Sequence, residues 1–155
     1  MLFRIIAIGT KMPAWIETGY KDYAKRMQRD YKIECIELKQ AKGHNLSAQE
    51  ILHKEAQLIN KKIRPQDSII TTDIQGQSFD TPTLAKHIEH WQQRGIHPTI
   101  IIGGAEGLDE RIKQKAIMSW SLSPLTFPHP MVRVLVAEQL YRACSLICNH
   151  PYHRG

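Results

Sequence analysis

Leu2-Phe-Arg-Ile-Ile-Ala-Ile8, followed by Gly9-Thr-Lys-Met-Pro13, decides the fold class. Ile5 to Ile8 is an unbroken apolar run. A strand with no polar face is covered on both sides, which is the environment of a central strand in a parallel sheet. The glycine and the proline four residues after it mark a tight turn into a helix, with proline near the helix start. Pro98 to Ile102 repeats this logic, an apolar run ending at Gly103-Gly104, and Ser68 to Thr72 reads as a third strand.

Helical spacing fills the intervals. Trp15, Ile16, Tyr20, Tyr23 and Met27 form one apolar stripe over a helix reaching about Gln28. Lys21, Lys25, Arg26 and Arg29 lie mostly off that stripe. Lys32 to Lys39 reads as an irregular strand. Ser47-Ala-Gln-Glu50 is a capping box opening a helix to about Lys62, with Ile51, Leu52, Leu58 and Ile59 inward. Asp73 after the third strand is a turn residue or a ligand contact, with the turn favoured, and Gln75-Gly76 read as a turn. Thr81-Pro82 starts a helix to about Arg94, Asp109 to Lys115 is a short helix, and Ala116 to Leu122 a strand. Val132 to Cys148 is the last helix. Strands alternating with helices predict an α/β fold, a mainly parallel sheet flanked by helices, with residues 1–155 as one domain.

Charge is unevenly placed. The chain carries +6, all of it within residues 1–65, where 13 Lys and Arg face 7 Asp and Glu. Residues 111–155 add a second basic zone, with Glu138 as the one acid. Such zones suit a polyanion such as RNA. No apolar run approaches the length of a membrane span. The first residues lack a basic n-region and cleavage site, so they read as a strand rather than a signal peptide. The three cysteines are odd in number and two sit at helical spacing, which argues against a disulfide framework and fits a reducing cytoplasm.

The chemistry-bearing residues concentrate at strand ends and in the last 35 residues. Ile100-Ile-Ile-Gly-Gly-Ala-Glu-Gly107 places glycines after a buried strand, where open α/β sheets bind ligands. The pattern is neither GxGxxG nor a Walker loop, so it predicts neither a dinucleotide nor a triphosphate. Pro124, Pro128 and Pro130 stiffen the loop before the last helix. That helix is apolar nearly all round, which predicts burial against a second copy in a homodimer. Glu138 and Arg142, four apart, can pair, or Arg142 can contact an anion. Cys144, Cys148, His150 and His153 depart from the separated pairs of zinc sites, and buried thiols on an apolar helix are the simpler reading, so no metal is expected. The tail Asn149-His-Pro-Tyr-His-Arg-Gly155 is either a frayed end or a place where Tyr152 stacks on a base and His153 exchanges protons.

Taken together, Ile6-Ala-Ile-Gly-Thr-Lys11, Asp73-Ile-Gln-Gly76, Ile102-Gly-Gly-Ala-Glu-Gly107, Leu122-Ser-Pro-Leu-Thr-Phe-Pro-His-Pro130, Arg133-Val-Leu-Val-Ala-Glu-Gln-Leu-Tyr-Arg142 and Tyr152-His153 resemble the ribosomal RNA large subunit methyltransferase H family over the whole chain. The resemblance implies a SPOUT-type α/β knot, with a trefoil knot near the C-terminus. It implies S-adenosylmethionine-dependent methylation of N3 of a pseudouridine in 23S rRNA, by a homodimer acting on assembled ribosomes. The family's cofactor positions fall on Thr72, Gly103, Leu122, Ser123, Pro124, Leu125, Thr126 and Phe127. Thr72 stands where family members often carry leucine, a change that a backbone contact survives. For catalysis, His129, His153 or a water could take the N3 proton, Arg142 or Arg154 could hold a phosphate or a developing anion, and Tyr152 would stack on the target base. Two other classes of function use the same residues differently: a non-catalytic dimeric RNA-binding module, and a small metal-dependent hydrolase built on the cysteines and histidines.

Overall fold

The computed structural model describes residues 1–27 and 30–154. The end of the first predicted helix at Gln28, and Arg29 of its basic face, lie outside the described residues, as does Gly155. Five strands, β1 (Leu2–Ile8), β2 (Lys32–Leu38), β3 (Asp67–Ser78), β4 (His97–Ile102) and β5 (Met118–Ser121), pair in the order β2-β1-β4-β3-β5, and every pairing is parallel. The helices are α1 (Ala14–Arg26), α2 (Ala48–Asn60), α3 (Thr81–Gln93), α4 (Glu110–Lys113) and α5 (His129–Ile147).

The apolar run of β1 is explained by two cores. Side chains alternate across a strand. Phe3, Ile5 and Ala7 therefore enter one core with Leu84 and Ile88 of α3 and Val136 and Leu140 of α5. Ile6 and Ile8 enter the other, with Ala56 and Ile59 of α2 and Ile112 of α4. Arg4 also points to a covered side, 5% exposed, where it pairs with Asp67 and donates to the Lys62 carbonyl at 3.0 Å. On the first face α5 packs between α1 and α3. This parallel sheet, flanked by helices, is consistent with the SPOUT-type knot that the resemblance implies.

Local signals set the helix boundaries. Ser47 accepts from the Glu50 N–H at 3.2 Å while the Glu50 carboxylate accepts from the Ser47 N–H at 2.7 Å, so the capping box forms as expected. Asp80 caps α3 ahead of Thr81 and Pro82.

Four expectations change. The segment at Gln75-Gly76 is no turn, because β3 runs on to Ser78 with a register shift between Thr72 and Gln77. Gly76 is needed there since a Cβ would lie 2.6 Å from the Ser119 carbonyl oxygen, so the glycine marks a bulge seated against β5. Trp15 does not join the stripe of α1: it is 61% exposed, and Ile16 is the one fully covered residue of that helix. α5 starts at His129, three residues before the expected Val132, which puts His129 on its first turn. Finally, a single chain already covers much of α5. Val136, Ala137, Leu140, Ala143 and Cys144 are inaccessible and Val134 and Leu135 are half-buried, so the apolar sequence of this helix does not by itself require a second copy.

Candidate active site

A cavity of about 570 Å³ opens at the ends of β4 and β5, beside the stretch of β3 where its register shifts. Its walls are the Thr72–Ile74 stretch of β3, the glycine loop after β4, and the loop from Leu122 into α5, with Trp120 and Lys113 between them. Thr72 is fixed by its hydroxyl, which donates to the Ile101 carbonyl at 3.1 Å.

The glycine loop folds back on itself. The Gly107 N–H donates to the Gly104 carbonyl at 3.0 Å, in an isolated antiparallel bridge. A Cβ on Gly103 would sit 2.4 Å from the Gly107 carbonyl oxygen, and one on Gly104 would sit 2.9 Å from Ile8. The close approach at Gly103 is therefore to the loop's own backbone. Gly107, at φ +85 with open space around it, supplies the left-handed residue that closes the turn.

Across the cavity, Ser123 shapes the second loop: its carbonyl accepts from the Ser121 hydroxyl at 3.2 Å, and its own hydroxyl accepts from the Leu125 N–H at 3.0 Å. Leu122, Ser123, Leu125, Thr126 and Phe127 line the cavity, whereas Pro124 is exposed and lies off it. Leu125 is 69% exposed at the rim.

Two features of this site have electrostatic consequences. His129 lines the cavity on the first turn of α5. Burial, then the charge of Arg133 one turn on, holds its imidazole below the ordinary range, so it is neutral at pH 7. Asp73 and Lys113 both line the cavity and form an ion pair at 2.6 Å. Burial pushes the Asp73 carboxyl up, but Lys113 and the Gln75 N–H outweigh it and leave the carboxyl below the usual range. Sequence reasoning missed Lys113, because nothing local to α4 signals that it faces the end of β3.

Arg142, Tyr152 and His153 lie elsewhere. None lines the cavity. His129 and Arg142 are 13 residues apart on α5, which at 1.5 Å per residue is about 20 Å along the axis. Arg142 pairs with Glu138 at 2.5 Å, as its spacing allows. The Tyr152 hydroxyl donates to the same carboxylate at 3.2 Å, its ring lies 4.7 Å under the Arg142 guanidinium, and it meets Tyr141 at 4.6 Å. Burial, followed by the Tyr23 hydroxyl and the Glu138 charge, pushes the Tyr152 phenol up, so it remains protonated. His153 is half-buried, with Nδ1 covered and unpartnered. The tail thus has a packing reason for its composition, and it packs on the outside of α5. Among the described residues no three or more His, Cys, Asp or Glu are grouped as a metal site. Burial pushes the Cys144 thiol up, as for a core residue. No described helix is long and apolar enough to cross a membrane.

A parallel open sheet with a ligand-sized cavity at the carboxyl ends of its strands defines a class of α/β ligand-binding proteins. Within that class the chain is more closely placed. The family model for predicted SPOUT methyltransferases matches residues 1–153, and the chain belongs to that family. It is also similar to a solved structure, that of a probable methylase family protein from Haemophilus influenzae Rd KW20. The TM-score is 0.58 at 14% identity, over 99% of this chain and 70% of that one, a likeness of fold.

Proposed function

We propose that this protein is an S-adenosylmethionine-dependent methyltransferase of pseudouridine N3 in 23S rRNA, acting as a homodimer on assembled ribosomes in the cytoplasm. One observation carries the reading. The cofactor positions implied by the resemblance, scattered from Thr72 to Phe127, converge on one cavity, Pro124 excepted. The cavity is also right for an uncharged adenosyl group. Its volume is in the range of small-ligand sites, on the order of 300–1,000 Å³. Among the described residues its one Lys or Arg, Lys113, is already neutralised by Asp73, which disfavours a phosphate-rich ligand.

When bound, S-adenosylmethionine supplies a methyl group activated by its sulfonium, so the protein has to align and deprotonate rather than activate. The glycine loop and the Leu122–Phe127 loop offer backbone groups in fixed directions, held by the Gly104–Gly107 and Ser123 hydrogen bonds. His129 presents a neutral imidazole at the cavity, the form that accepts a proton. Arg142, Tyr152 and His153 serve the site from a second copy. Their distance from the cavity within one chain is what favours this arrangement, and half-buried Val134 and Leu135 with exposed Trp15 leave apolar surface for the contact. In that role Tyr152 stacks on the target base and Arg142 holds a phosphate.

Isothermal titration with S-adenosylmethionine is the first test, followed by transfer of labelled methyl to ribosomes with the modified nucleotide mapped. We expect stoichiometric cofactor binding and a single labelled pseudouridine. A folded protein that takes up no cofactor but still binds rRNA would instead be a non-catalytic RNA-binding module.

A further inference from the structure

The carboxyl edge of the sheet continues past the cavity to the ends of β1 and β2, where there is charge that the reading above leaves unused. Residues 9–13 and 39–46 contain Lys11, Lys39, Lys42 and His44 and no acid. All four are exposed, and among the described residues none is in an ion pair. The cations of α1 are different. Lys21 pairs with Glu17 at 2.5 Å and Arg26 with Asp22 at 2.9 Å, which among the described residues leaves Lys25 as the uncancelled charge on that face.

The two lysine-bearing loops are held in place. The Gly9 N–H donates to the Leu38 carbonyl at 2.7 Å, fastening the end of β1 to the end of β2. Neighbouring strands lie about 4.8 Å apart, so the loops leave side by side. Lys11 adopts φ 55, the left-handed region that a lysine enters only at a cost. The Ala41 N–H donates to Glu55 at 3.1 Å. Glu55 is itself 3% exposed and lies against Gly104 of the glycine loop. On the other side, His129 Nε2 approaches Gly9, 3.5 Å from where a Cβ would stand. The basic loops therefore adjoin both the glycine loop and the His129 end of the cavity. The exposed acids next to these loops are Glu37, two residues before Lys39 and already paired with Arg133, and Glu106 of the glycine loop.

We infer that Lys11, Lys39 and Lys42 form a phosphate-binding strip that holds the backbone of the nucleic-acid substrate beside the target nucleotide. This rests on the RNA substrate proposed above and places its electrostatic contact at the strand ends, in contact with the cavity, rather than on α1. The strip supplies position and salt-dependent affinity and reads no base.

The test compares two triple variants with the parent protein in filter binding to protein-free 23S rRNA, between about 50 and 200 mM salt. One carries Lys11→Gln, Lys39→Gln and Lys42→Gln; the other carries Lys21→Gln, Lys25→Gln and Arg26→Gln. Each lost phosphate contact lowers the slope of log affinity against log salt by about 0.7–0.9. The strip variant should lose about 2–3 from the slope and the α1 variant no more than about 1. Melting temperature and S-adenosylmethionine affinity should be unchanged in both. A parent-like slope in the strip variant, or an equal loss in the α1 variant, overturns the inference. So does weakened ribosome binding with a parent-like slope on the free RNA, which would mean that the strip meets an acidic protein. A parent protein that binds S-adenosylmethionine but neither the free RNA nor ribosomes overturns the strip and leaves the cofactor site standing. Binding of RNA with the expected slopes, without cofactor uptake, overturns the methyltransferase reading and leaves the strip.

Discussion

Arg133 and Glu37 make an asymmetric pair, and removing the exposed partner should do more harm than removing the buried one. Arg133 is 3% exposed on its side chain and Glu37 43%, at 2.7 Å. The guanidinium also donates to the Ile8 and Gly9 carbonyls, at 3.4 Å each, and its Nε is buried without a partner. With Glu37→Ala, a covered cation loses its counter-charge. With Glu37 half in water the loss is that of a buried donor left unsatisfied, about 1–3 kcal/mol, and for a chain of this length each kcal/mol moves the melting temperature by about 2–4 °C. A fall of roughly 2–12 °C follows. With Arg133→Met the volume is nearly kept and Glu37 turns to water. Two long hydrogen bonds are lost, about 0.5–1.5 kcal/mol each, but the orphaned Nε disappears too, which returns about 1–3 kcal/mol. The net change is about 1 kcal/mol or less, a shift of up to about 4 °C. Calorimetric melts of both variants decide it. If Arg133→Met proves the more damaging of the two, the desolvation argument is wrong.

Further outcomes follow from the cavity and the tail. His129→Gln should lower kcat by about 10²–10⁴, the range of general-base catalysis, with cofactor affinity retained; parent-like turnover would remove His129 from the chemistry. Because its folded imidazole lies below the ordinary value, the native state binds fewer protons there. Its contribution to stability is therefore present above the ordinary imidazole pKa and is lost as pH falls through the folded one. The acid limb of the rate profile should correspondingly fall below about pH 6.5 and vanish in the variant. Gly103→Ala should displace the Gly107 carbonyl, costing about 1–3 kcal/mol of stability together with cofactor affinity, so the two losses should appear in the same protein; full affinity with an unchanged melt would contradict the geometry. Deleting residues 150–155 removes half-buried Tyr152 and should lower the melting temperature by about 2–4 °C, near 1 kcal/mol. It should abolish methylation and spare cofactor binding, and unimpaired turnover on ribosomes would show that the tail only packs.

What was legible in the sequence was local. The unbroken run of β1 announced a strand covered on both sides, and Ser47 with Glu50 announced a helix start, because each signal is complete within a few residues. Gly103, Gly104 and Gly107 announced a special loop, although which backbone they approach depends on how that loop folds over. Gly76 misled because a glycine after a strand signals a turn and a bulge equally well, and Ser119, which distinguishes them, is far along the chain. Trp15 has the right spacing for the core side of α1, and spacing does not reveal where the neighbouring helix stops. The pairs Asp73 with Lys113 and Arg133 with Glu37 were invisible for the same reason, since the partners come from separate elements. Sequence reasoning took α5 as an apolar cylinder and passed over Arg133, the buried one of its two arginines.

The position of α5 has a consequence for how this chain is made. The helix nearest the C-terminus lies between α1 and α3 and completes the core over Phe3, Ile5 and Ala7 of the first strand. Arg133 binds the Ile8 carbonyl across 125 residues of chain. While the protein is still emerging from a translating ribosome, that side of the sheet has α1 and α3 but lacks the helix between them, and the apolar surface left there is open to aggregation. Closure waits for α5, and contacts of such long sequence separation form slowly. Refolding from denaturant, where all segments are present at once, and folding during synthesis should therefore follow different orders of assembly.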